Sequence, residues 1–129
     1  MSQDSFGVKQ TFLAAADYSS SQYYLMYISS ASTVTICGAR GLVIGIMYGK
    51  PESGQPGDVL TAHGVFAKCK AGGTIAAGNL CESNASGAAV AFTYNCDGAT
   101  ETYAVGRAVT ACATGGIFTV LTSFDTSSK

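Results

Sequence analysis

The chain has 129 residues, 47% of them hydrophobic and only 12% charged, with 7 basic against 8 acidic side chains and a net charge of −1. That length fits one domain burying roughly 65% of its unfolded surface, and charges scattered singly leave no basic run to attract phosphate, which excludes nucleic-acid binding. So few charges point to surface covered by a partner, because little repulsion opposes association.

Residues 1–20 are polar and small, with scattered apolar side chains at Phe6, Val8, Phe12 and Leu13 and no sustained period. They read as an N-terminal arm or a loosely attached first strand. The early Asp4, the lack of a basic start and the short apolar stretch Phe12–Ala16 argue against a signal peptide. No stretch approaches the roughly 18 apolar residues of a membrane span, so a membrane is not an expected partner and assembly in the cytoplasm is.

The next segments are short and rich in aromatic and β-branched residues, as strands are. Residues 22–28 (QYYLMYI) form the first, 33–37 the second and 42–48 the third. The segment 49–57 holds both prolines and three glycines and reads as a loop. Residues 58–62 and 64–68 make two strands or one bent strand, with His63-Gly64 at the bend. Strands over 79–82 and 88–94 follow, separated by a turn at 84–87. A closing hairpin pairs 103–110 with 117–124 across Gly115-Gly116. The spacing indicates an all-β fold, a small β-barrel or sandwich of short antiparallel strands. The expected organisation is an arm over 1–20, a β-rich domain over 21–124 and a tail over 125–129.

One internal echo stands out. Ile44-Gly45-Ile46 corresponds to Val105-Gly106-Arg107, and Gly57-Asp58-Val59-Leu60-Thr61 to Gly116-Ile117-Phe118-Thr119-Val120. Strand, glycine-bounded loop, strand is a building pattern, not a reaction centre.

The residues that could carry chemistry are few. His63 is the only histidine, and no G-x-S-x-G sequence offers a nucleophile beside it. The five cysteines, Cys37, Cys69, Cys81, Cys96 and Cys112, contain no C-x-x-C pair, so neither a zinc ribbon nor a redox motif is available. Several sit where small apolar residues suit a strand, which reads as buried free thiols; pairing in an oxidised particle stays open. Gly72-Gly73 is not followed by the G-K-[ST] of a phosphate loop. The eight acids lie mostly beside turn residues and read as solvated loops. Asn84-Ala85-Ser86 fits a glycosylation sequon, but nothing else here suggests secretion. No metal or other cofactor and no catalytic residue is expected.

Taken in order, Val43-Ile44-Gly45-Ile46 before Lys50–Gln55, then Gly64-Val65, then Ala71–Leu80, Ser83–Val90 and Ala104–Ala108 closing on Gly115-Gly116 make one spaced pattern over about residues 23–121. This pattern resembles the small capsid cement (head decoration) proteins of tailed bacteriophages. The resemblance implies a β-rich structural protein without enzymatic activity. Such a protein binds the outer surface of the phage head and holds neighbouring major capsid subunits together, usually as a symmetric oligomer. The partners it implies are the major capsid protein and further copies of the chain, with a homotrimer expected and a homodimer as its rival.

Aromatic and apolar groups in polar surroundings are the expected contact residues: Phe6, Phe12, Leu13, Tyr23 and Tyr24. Tyrosine joins a large apolar face to a hydroxyl, which suits interface anchors. The five cysteines and the cluster Tyr23, Tyr24, Tyr27 depart from the family pattern. Two other readings stay open. A β-barrel adhesion or receptor-binding module of a fibre or tail predicts an aromatic cluster facing carbohydrate. A small enzyme needs a pocket of perturbed acids around His63.

Overall fold

Pairs of adjacent apolar residues, facing opposite ways and both buried, set the architecture. In the computed structural model, which describes residues 9–38, 41–92 and 104–123, Leu25-Met26, Ile46-Met47 and Val59-Leu60 are each at most 4% exposed. Successive side chains of a strand point to opposite faces, so these strands are covered on both sides.

The first cover is the chain itself, closed into a barrel. β1 (Lys9–Ala14), β2 (Leu25–Ser30), β3 (Thr33–Ile36), β4 (Gly45–Met47) and β5 (Pro56–Leu60) pair in the order β1-β3-β2-β4-β5, with β5 returning to β1. Ala14, Tyr18, Met26, Val34, Met47 and Val59 fill the interior. The second cover is a five-stranded sheet of order β6-β10-β9-β7-β8, made of β6 (Phe66–Lys70), β7 (Leu80–Ser83), β8 (Ala89–Ala91), β9 (Gly106–Ala108) and β10 (Ile117–Thr122). Leu25, Ile46 and Leu60 are register partners in succession across β2, β4 and β5. That row packs with the inner face of the second sheet, including Ala67, Cys69, Cys81, Val105, Phe118 and Val120.

The barrel closes through one parallel pair, where β1 meets β3 for only two residues, Leu13↔Thr33 and Ala14↔Val34. Beyond that point Tyr18 fills the seam. Its hydroxyl lies 2.7 Å from Thr35 Oγ1 and accepts the Ile36 N–H at 3.3 Å, taking the place of a bond to a continuing β1.

The second sheet has two edges, and both are engaged. At β6 the Lys68 N–H donates to the Tyr48 hydroxyl at 2.6 Å and the Lys70 N–H to the Tyr23 carbonyl at 3.0 Å. At β8 the Ala89 carbonyl accepts the Gly72 N–H at 2.8 Å. Open edges invite pairing with foreign strands; here barrel residues and the 71–72 segment occupy them.

The sequence echo falls on two antiparallel pairs, β4 with β5 and β9 with β10, one in each sheet. A Cβ at Gly45 would lie 2.5 Å from the Leu60 carbonyl oxygen, and one at Gly106 would collide with that of Leu121. The same close backbone approach therefore explains both glycines. The structural match is two residues further along β10 than the sequence match, which keeps the same face outward.

Several expectations need correction. From Lys9 onward the expected arm is a barrel strand, pairing with β5 over five residues from Lys9↔Leu60 to Leu13↔Pro56. Its outward residues Lys9 and Thr11 are polar, which hides the strand in a composition reading. Residues 1–8 lie outside those described, as do 93–103 and 124–129, the last of which hold the expected tail. The strand expected over 22–28 starts only at Leu25, because Tyr23 adopts φ 73°, a left-handed conformation that breaks a strand. Pro56 opens β5, so the loop ends two residues earlier than expected; a first strand position tolerates proline.

Replacing Gly45 with Ala forces the Leu60 carbonyl and the Val59 side chain, 2.5 and 2.7 Å from the new Cβ, to move inside a doubly packed wall. Chemical denaturation is expected to show a loss of about 2–4 kcal/mol. Gly73→Ala, whose nearest neighbour would be Val90 Cγ1 at 3.5 Å, is expected to be near neutral. Equal effects would contradict the packing described.

Candidate interaction surfaces

Chemistry-bearing side chains are dispersed or buried. His63 is exposed at the bend between the two sheets. Among the described residues no group of three or more His, Cys, Asp or Glu could hold a metal ion. Cys37, Cys69 and Cys81 are buried and free, and Cys112 is half-buried and free; Cys96 lies outside the described residues. Burial raises the Cys37, Cys69 and Cys81 thiols, Cys81 to about 11. They hold their protons at neutral pH and act as small apolar side chains in the seam between barrel and sheet. Asn84 is committed to its turn, its Oδ1 accepting the Ser86 and Ala88 N–H groups at 2.8 and 3.0 Å.

What the surface offers is apolar area. The first region is a groove of about 410 Å³ on the barrel, lined by Tyr27, Ile28, Leu42 and Ile44 with Cys37 and Gly41. Ile28 is 50% exposed although its register partner Val34 is buried; it sits where β2 runs out past the packed interior. The second region is the outer face of the five-stranded sheet. Because Phe118 and Val120 point into the core, Ile117, Thr119 and Leu121 point out, as do Phe66 and Lys68 on β6. Phe66 is 69% exposed, the highest value among the large apolar side chains described.

Between barrel and sheet lies a cleft lined by Tyr23, Tyr48, Phe66, Lys68 and Thr119. Its two tyrosines are structural. Their rings meet edge to face at 5.2 Å, Lys9 Nζ lies 5.1 Å from the Tyr48 ring centre, and hydroxyl and carbonyl hold β6. Tyr23 keeps its φ of 73° at a cost of about 1–3 kcal/mol, offset by hydrogen bonds to Met47 and Lys70.

The expected contact residues are not brought together as one patch. Phe12 is half-buried and packs on the barrel interior, with Tyr24 beside the same cluster. Tyr23 is half-buried in the joint just described. Leu13 is 43% exposed on the barrel wall, opposite exposed Pro56. Phe6 lies outside the described residues. Sequence reasoning passed over Phe66, Ile117 and Leu121, although each sits at the outward position of an alternating strand, a signal readable once register is known.

In folded protein at about pH 8, Cys37, Cys69 and Cys81 are expected to resist a thiol reagent and to react on unfolding; rapid labelling of the native state would contradict their burial. The Cys81 thiol is raised from 9.0 to about 11 by burial. Its contribution to stability is complete below 9.0 and is lost as pH rises through about 11, because the unfolded chain ionises first.

The fold agrees with comparisons to known proteins. The N base of the head fibre gp8.5 of bacteriophage phi29 is similar in structure, with a TM-score of 0.69 at 18% identity over 94% of this chain and 98% of that one. At that identity the likeness concerns the fold. No curated protein matches the chain. Residues 7–123 match the family of phage cement proteins, a span that takes in every strand of both sheets. The chain therefore belongs to the phage cement protein family and is a structural component of the phage head.

Proposed function

We propose that the protein seats on the outer surface of the head as a homotrimer and holds neighbouring major capsid subunits together. The observation that carries this reading is the family match over residues 7–123. The surface supports it: both edges of the open sheet are engaged, so attachment proceeds through side-chain faces, and apolar area is left exposed on barrel and sheet. A cyclic trimer lets each protomer make the same contact around a three-fold junction. A contact of standard size buries about 1,600 Å², and attachment at several points strengthens modest single-site binding by about 10²–10⁴. Subunits pulled apart then break these contacts as well as their own. Such a role needs no reaction centre and is compatible with assembly in the host cytoplasm.

Residues 1–8, with Phe6, and the exposed Leu13 supply part of the grip in this reading. A second reading, the base of a head fibre, is favoured by the likeness to the phi29 head-fibre base.

Co-sedimentation of the protein with empty, expanded heads, counting copies per capsomer, separates the two. Saturation at a symmetry-related stoichiometry in the hundreds is expected for cement; a few tens of copies would favour the fibre base, and no binding would refute both. A chain starting at Lys9 is expected to bind more weakly, and unchanged binding would remove residues 1–8 from the grip.

A further inference from the structure

Four strands of the second sheet place one row of side chains on its outer face. Phe66, Leu121, Arg107 and Leu80 are successive register partners across β6, β10, β9 and β7. Residues directly opposite in antiparallel strands share a face and touch. Further along lie Lys68 beside Thr119, and Lys70 beside Ile117. Phe66, Val109, Ile117 and Leu121 on this side are 69, 41, 43 and 40% exposed, half of the exposed large apolar side chains among the described residues.

The exposed charges on the described part of this face have one sign. Its strands carry Lys68, Lys70 and Arg107, and their single acid, Glu82, alternates onto the same side as Leu80 but is buried there. None of the three cations makes an ion pair with a described residue. Arg107 is held in place: its Nη1 donates to the Gly78 carbonyl at 3.0 Å, and its other guanidinium N–H groups bond no described residue. A guanidinium fixed among apolar neighbours loses little freedom on binding and can fork a carboxylate. Exposed aromatic and arginine side chains are the types that dominate interface energies.

We propose that this outer face is the surface that docks on the head shell, and that its occupant is a patch of the major capsid protein with carboxylates around an apolar centre. Phe66 and Leu121 enter the apolar centre, Arg107 takes a carboxylate, and Lys68 and Lys70 face the acidic surround. The inference rests on the cement reading and deepens it, since the contact is apolar at its centre and steered by charge at its rim.

The test measures affinity for expanded heads by co-sedimentation at low and high salt. Phe66→Ser and Arg107→Gln are each expected to weaken binding at least about tenfold. Lys68→Glu is expected to weaken it and flatten its salt dependence, whereas Lys50→Glu, the same change on an exposed barrel loop, leaves binding unaltered. Lys68→Glu also carries the test if either of the first two variants fails to fold. Wild-type affinity in Phe66→Ser and Arg107→Gln would overturn the proposal and leave the cement reading intact. A changed sedimentation coefficient of the free variants would place a second copy of the chain on this face and overturn the capsid assignment. Failure of the unaltered protein to bind would overturn the cement reading itself.

Discussion

The row Leu25, Ile46 and Leu60 lies on the back of the same strands whose other faces, Met26, Met47 and Val59, fill the barrel. Each such side chain, fully buried, contributes about 1.5–3 kcal/mol, and here adjacent residues contribute to two different cores. The barrel cannot shift register by one residue without exchanging its interior for its seam. Gly45 exists because β4 must approach Leu60 closely enough to hold that row together. The cysteines belong to the same constraint: Cys37, Cys69 and Cys81 are fully buried there, thin enough for the sheet to lie close.

Once the seam is formed, both edges of the sheet are engaged within the chain. The barrel has no edge, and the sheet's edges are held by Tyr23, Tyr48 and Gly72. Engaged edges guard against aggregation, because open strand edges lead to uncontrolled pairing. What is left for recognition is side chains on rigid strands. The low charge content then acquires a reason, since apolar area that meets a partner would be spoiled by solvated charge.

The sequence made the fold class readable through short apolar segments between glycine and proline turns, and the echo around Gly45 and Gly106 pointed to two equivalent strand pairs. It concealed β1, because Lys9, Gln10 and Thr11 look like a solvated arm until their pairing with β5 is known. It also left the setting of the expected contact residues hidden. Tyr23 and Tyr24 stand in a conspicuous aromatic cluster, but their place beside the joint and the barrel interior depends on long-range contacts. Phe66 and Leu121 come from short strands with ordinary alternation, and only register across four strands aligns them with Arg107. Local pattern carries the strands; the surface they build together is a property of topology.

A protein that holds capsid subunits together, and does not merely sit on them, makes the head harder to rupture. The decisive quantity is the temperature at which DNA-filled heads rupture, read by dye access to the DNA, as a function of bound copies. The rupture temperature is expected to rise with occupancy and to saturate when the binding sites do. Full occupancy with an unchanged rupture temperature would contradict the holding role, leaving a protein that decorates the head without strengthening it.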